Sequence, residues 1–214
     1  MPKPQFICTF LLASALSLVS AKAQACPPDQ HTQHPLRQTL LALLAADQAD
    51  RQLLTDQGLS QLTPEDVARI QHNDSARLQQ LMALLKQHGW PSRSMVCADG
   101  VQAAFVLVQH ADAQPAFQMA MLKDIKAAYA AGEIPGQALA LLTDRVLKNT
   151  GQPQRYGTQV LIKANQLEVY PLEAPEQVDE RRASLGLPPL ADYLAQLRAF
   201  YKLGTEALPD AVLK

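Results

Sequence analysis

Residues 101–111 read VQAAFVLVQHA. Eight of the eleven are alanine, valine, leucine or phenylalanine, and they fall on every side of a helical wheel rather than on one stripe. A helix apolar all round has no solvent face, so the stretch predicts a central, buried helix. That expectation makes the fold mainly α, with other helices wrapped around this one.

Working outward, helical spacing recurs on both sides. Leu36, Leu40, Leu41 and Leu44, then Leu53 and Leu54, predict a helix from Leu36 to about Thr55, ended by Gly58. In LTPEDVARI, Thr63 stands as N-cap, Pro64 takes the first helical position and acids fill the first turn. NDSARLQQLMALLKQHG (residues 73–89) predicts a fresh helix with Leu78, Leu81, Met82 and Leu85 on one face and Gly89 as its stop. Residues 89–100 are expected as a loop anchored by Trp90, the only tryptophan. Pro115 to Gly132 and Pro135 to Gly151 read as two further helices punctuated alike. The period then shortens. TQVLIKANQLEVYPL predicts a small β-hairpin near residues 158–170, turning at Ala164 and Asn165. PEQVDERRASLG and PPLADYLAQLRAFYKLG return to helix. The expected fold is a compact single-domain array of about eight helices with one hairpin, over residues 36–205, with 206–214 as a tail.

The chain opens with Lys3, an apolar run over residues 6–19, and small residues at Ala21, Ala23 and Ala25. That is the three-part form of a signal peptide, expected to be cleaved and to leave residues 26–35 as a polar lead-in. The run is shorter than the ~20 residues a spanning helix needs. The reading is export to the periplasm or beyond, with no integral span after cleavage. Cys26 follows AQA directly, so lipid anchoring through it is the alternative, although Ala23 is smaller than the aliphatic residue such sites favour. Removing 25 residues leaves 189 of 214, with 17 basic and 20 acidic residues and a net charge of −3. A mildly acidic chain without a basic block does not suit nucleic acid.

Cys26 and Cys97 survive cleavage, and an oxidising compartment allows them one disulfide. Cys26, His31 and His34 give a weak C-x4-H-x2-H pattern, which lacks a fourth ligand; no metal or cofactor is expected. The sequence holds no H-E-x-x-H, G-x-S-x-G, P-loop or G-x-G-x-x-G. Asn73 formally opens a glycosylation acceptor, NDS, but reads as a helix cap.

Three polar clusters remain. His110, in QHAD, sits near the end of the central helix. Either it meets the last carbonyls there, or it serves as a base oriented by Asp112, with Gln118 close by. Arg145, in LTDRV, either pairs with an acid or binds a carboxylate or phosphate. In QPQRYGTQ (residues 152–159), Gln154, Tyr156 and Gln159 either satisfy backbone groups at a helix-to-strand junction or line a ligand pocket.

NDSARL, HGWP, VLVQHAD, AFQ, LTDRV, QRYGTQ and VDERRASLGLPPLADYL together resemble a bacterial family, the domain of unknown function numbered 6624, over roughly residues 35–198. The resemblance implies that these polar residues form a shared feature. It supplies no activity. Members often carry glycine at the place of Cys97, which makes any disulfide there a local matter. The functional expectation is an exported protein that binds a polar small molecule or peptide through His110, Asp112, Gln118, Arg145, Gln154, Tyr156 and Gln159. Two alternatives stand beside it: a hydrolase or transferase using His110 as base with Asp112 and Arg145 in support, and a protein–protein module of the inhibitor or immunity kind.

Overall fold

A computed structural model of the chain describes residues 34–57, 63–163 and 166–203. The stretch read as a signal peptide, Cys26, His31, Gly58, Ala164 and Asn165 lie outside the described residues. The described chain forms seven α-helices and one two-stranded antiparallel sheet, so it is mainly α as expected. It divides into two compact units between Ile134 and Pro135.

The N-terminal unit holds α1 (Pro35–Gln57), α2 (Pro64–His88), α3 (Arg93–Gln109) and α4 (Pro115–Ala130). Helix α3 packs against α1, α2 and α4. It is buried on all sides, from Val101 and Ala103 through Val108, which is the central helix the apolar run predicts. Leu36, Leu40 and Leu43 of α1, Ile70 and Leu81 of α2, and Ile125 and Ala128 of α4 are also buried. At Gly100 a Cβ would stand 2.6 Å from Val96 Cβ and 3.4 Å from Arg37 Cγ, so the glycine permits a close approach. Arg37 grips Asp99 with two guanidinium nitrogens beside it.

Two expectations are corrected here. The helices expected at 63–71 and 73–88 are one, α2, which is why seven helices form where about eight were expected. Thr63 does cap it, through a reciprocal capping box with Asp66. Asn73 and Asp74 look like a restart because such side chains compete for local backbone. Here they bond acids and arginines instead, leaving the helical backbone intact. Residues 89–100 are not all loop either: α3 starts at Arg93 and is broken at Cys97, where φ is +62°. That region favours glycine, and a cysteine there is unusual.

The C-terminal unit holds α5 (Gly136–Asn149), β1 (Val160–Lys163), β2 (Gln166–Val169), a 3₁₀ turn (Pro175–Gln177), α6 (Val178–Ser184) and α7 (Leu190–Tyr201). The hairpin pairs Val160 with Val169 and Lys163 with Gln166. Its core joins Ala138, Leu142 and Val146 of α5, Val160, Leu167, Val178, and Leu190, Leu194 and Leu197 of α7. Gly136 is required by space: a Cβ there would meet the Leu185 carbonyl oxygen at 2.1 Å.

Candidate functional site

In the N-terminal unit, His110 ends α3 and is buried. Its Nδ1 lies 2.8 Å from Asp47 Oδ2 on α1, and Asp47 is itself buried. The carboxylate that orients this ring is therefore Asp47, where Asp112 was expected. Asp112 instead accepts from Gln118 Nε2 at 3.4 Å. The same Gln118 nitrogen donates to the carbonyls of Val108 and Gln109 at 3.2 and 3.0 Å. Gln118 thus satisfies the carbonyls that end α3, a role the sequence offered to His110.

Asp47 belongs to a larger ionic cluster. Arg51 reaches Asp47 at 3.2 Å and Asp74 at 3.0 Å. Arg77 bonds Asp50 at 2.7 Å and also Asp74, and Asn73 donates to Asp50 at 3.2 Å. Burial pushes the Asp47 carboxyl up, but the His110 hydrogen bond and the charges of His110, Arg51 and Arg77 outweigh it and hold the carboxyl below the ordinary range. A cavity of about 20 Å³ adjoins His110, Asp47, Asp74 and Arg77. That is room for about one water molecule.

Sequence reasoning missed Asp47, Asp50 and Arg51. The signal was present. Leu36, Leu40, Leu43, Asp47, Asp50 and Arg51 continue one helical stripe of buried positions, apolar in its first half and charged in its second.

In the C-terminal unit, QPQRYGTQ wraps the carboxylate of Asp144. Asp144 is fully buried on α5. It accepts from the backbone N–H of Arg155 at 2.7 Å, Tyr156 at 3.1 Å and Thr158 at 2.9 Å, and from the Thr158 hydroxyl at 2.9 Å. Gly157, at φ +69°, lets the chain turn so that these donors converge, and a Cβ there would strike Leu190. Gln154 spans the loop: its amide donates to the carbonyls of Gln159 and Tyr170 and its oxygen accepts from the Gln159 N–H. Gln159 donates to the Thr158 hydroxyl at 3.1 Å. Tyr156 gives its N–H to Asp144 and its carbonyl to Arg182. Arg181 ties the carbonyls of Arg155, Glu173 and Ala174. Of the two readings of this loop, backbone satisfaction describes what Gln154 does, while the Gln159 Oε1 is buried without a hydrogen-bond partner among the described residues.

Burial pushes the Asp144 carboxyl above the usual range, while its four donors pull it back. Arg145 is also buried. Its charge acts against the burial that raises the hydroxyl pKa values of Tyr170 and Tyr193.

The sequence did not suggest the groove in the N-terminal unit. Met82, Leu85, Lys86 and Gly89 from the end of α2, and Phe117, Met121 and Asp124 of α4, line an open groove of about 280 Å³ with Trp90. Trp90 is half-buried, and its indole N–H is buried without a hydrogen-bond partner among the described residues. Met82 is 44% exposed.

The described residues contain no cluster of His, Cys, Asp and Glu suited to a metal. His34 Nδ1 accepts from the Leu36 N–H at 3.2 Å. No described helix is long and apolar enough to cross a membrane.

A model described as a family of unknown function, DUF6624, matches residues 34–206, the family that the motifs resemble. The match reaches into both units and includes every candidate residue except Cys26 and His31. No curated protein and no solved structure matches.

Proposed function

The chain belongs to the DUF6624 family, a family of unknown function, and we propose that it is an exported binding protein whose site is the groove between α2 and α4. The observation that carries this reading is an open groove of about 280 Å³ lined mainly by Met82, Leu85, Trp90, Phe117 and Met121, with Lys86 and Asp124 beside them. Methionine walls adapt to varied shapes.

The polar clusters read as architecture. The Gln154 side chain is used within the loop, and the cavity at His110 has room for a water but not a substrate. Export rests on the apolar run over residues 6–19 and the small residues after it.

Because Trp90 is the only tryptophan, its emission reports on the groove alone. Titration with 1-anilinonaphthalene-8-sulfonate is expected to quench Trp90 by energy transfer, with saturation near one dye per chain. Met82→Glu and Met121→Glu are expected to weaken that binding about tenfold or more, the cost of placing a charge in an apolar site. Equal dye binding in both variants would remove the groove from consideration.

The Cys26–Cys97 disulfide is part of the same reading. It is supported by Cys97 being in the disulfide-bonded form and by the chain having three cysteines, of which Cys8 precedes the cleavage point. Thiol titration of the unfolded, non-reduced mature protein should find no free thiol; two free thiols would refute it.

A further inference from the structure

We propose that the α2–α4 groove is gated by methionine oxidation: a peroxide converts Met82 and Met121 to sulfoxides and makes the groove unfit for apolar ligands. The inference rests on the groove being the binding site, and it concerns how that site is switched, whatever its occupant.

The placement of sulfur carries it. The sequence has five methionines, Met1, Met82, Met95, Met119 and Met121. Met1 lies in the stretch read as a signal peptide, and two of the other four line this one groove. Thioether oxidation needs access, and Met82 is 44% exposed while Met121 is half-buried in an open lining. A thiolate would ordinarily consume peroxide first. Cys97, the only cysteine among the described residues, is disulfide-bonded and buried, so no described thiol shields these sulfurs. Leu85 in the same lining shows that the groove does not need sulfur to be apolar. Methionine at the other two positions adds a reactive atom that leucine lacks.

The step balances within one peroxide. The sulfur lone pair attacks one oxygen of hydrogen peroxide, an S–O bond forms and the O–O bond breaks. The proton on the attacked oxygen passes to the departing hydroxide, which leaves as water. Methionine loses an electron pair and the peroxide gains it. The product is polar and chiral, with a strong acceptor oxygen where a weakly accepting thioether stood. It stands among Leu85, Trp90 and Phe117 in the lining. An apolar ligand strips water from that oxygen and offers no donor in exchange, which costs affinity. Enzymatic reduction removes the oxygen again, so the change is reversible.

The test uses the whole mature protein, with hydrogen peroxide as oxidant and 1-anilinonaphthalene-8-sulfonate as probe. Mass spectrometry of proteolytic fragments assigns each added oxygen to its residue. Oxidised wild type is expected to bind the dye about tenfold more weakly than untreated protein. Methionine sulfoxide reductases are expected to restore that binding. Met82→Leu with Met121→Leu keeps the lining apolar, so it should bind the dye within about twofold of wild type before and after peroxide. Met119, 50% exposed on α4 and outside the lining, is the internal control: Met119→Leu should lose binding as wild type does. Unchanged binding in protein oxidised at Met82 and Met121 would overturn the inference. So would equal loss in the double variant, loss that the reductases do not reverse, or oxidation confined to Met119. If untreated protein binds no dye, the groove reading falls and takes the inference with it.

Discussion

Asp144→Ala is expected to lower the stability of the protein by about 4 kcal/mol or more, among the larger effects a single substitution produces. The reason is the number of donors left behind. The backbone N–H groups of Arg155, Tyr156 and Thr158 and the Thr158 hydroxyl converge on this one carboxylate. Each buried donor that loses its acceptor costs about 1–3 kcal/mol, reduced where water can enter the space. Asp144→Asn keeps one acceptor oxygen but turns an amide NH₂ toward donors, so a loss of about 2–3 kcal/mol is expected. Urea unfolding of the wild type and both variants measures these. A loss below about 1 kcal/mol in Asp144→Ala would mean that the loop does not depend on the carboxylate.

The same carboxylate gives the effect a pH signature. Burial raises its folded-state pKa above the ordinary value. A raised folded pKa means that the folded state binds the proton more tightly than the unfolded chain. The stabilisation from that proton is complete below the unfolded value, about 3.9, and is lost as pH rises through the folded value. The stability difference between wild type and Asp144→Asn should therefore be largest in acid and shrink to a plateau as pH rises.

Parts of this architecture are legible in the sequence because they are local. An apolar run with no polar face is buried whatever surrounds it, so α3 was predicted as the central helix. A change of period from 3.6 to 2 marks the hairpin, and prolines and glycines mark the ends of α4 and α5. What depended on tertiary partners was not legible. Asn73 and Asp74 carry the local signature of a helix start, but acids and arginines from α1 and α2 occupy them and α2 runs through. The break at Cys97 is masked because the residue there is not glycine. Asp112 is two residues from His110 in sequence, yet the ring meets Asp47, 63 residues away. Asp144 gives no local sign of its role. Nothing in the five residues LTDRV reveals that its partners are main-chain donors in a loop eleven to fourteen residues later.

The second large effect is expected at Asp47. Asp47→Ala removes an acceptor from His110 and a counter-charge from Arg51, both buried. Breaking a buried pair from one side costs about 3–5 kcal/mol, since the remaining charge stays desolvated. The folded-state pKa of Asp47 is depressed, so the linkage runs opposite to that of Asp144. Its stabilisation is present above the unfolded value of about 3.9 and disappears as pH falls through the folded value. Wild type should lose stability below about pH 4 by an increment that Asp47→Ala lacks. A triple change, Asp47→Leu with Arg51→Met and His110→Leu, separates architecture from chemistry. Replacing buried charges together with their partners by apolar side chains of similar volume is often neutral or stabilising, and Asp74 keeps Arg77 as its partner. If the triple variant folds stably and still binds the dye in the α2–α4 groove, the His110 cluster serves to fix α1 and α2 against the end of α3. If it folds but no longer binds, the cluster is coupled to the groove by more than scaffolding, and His110 regains its claim to a direct role.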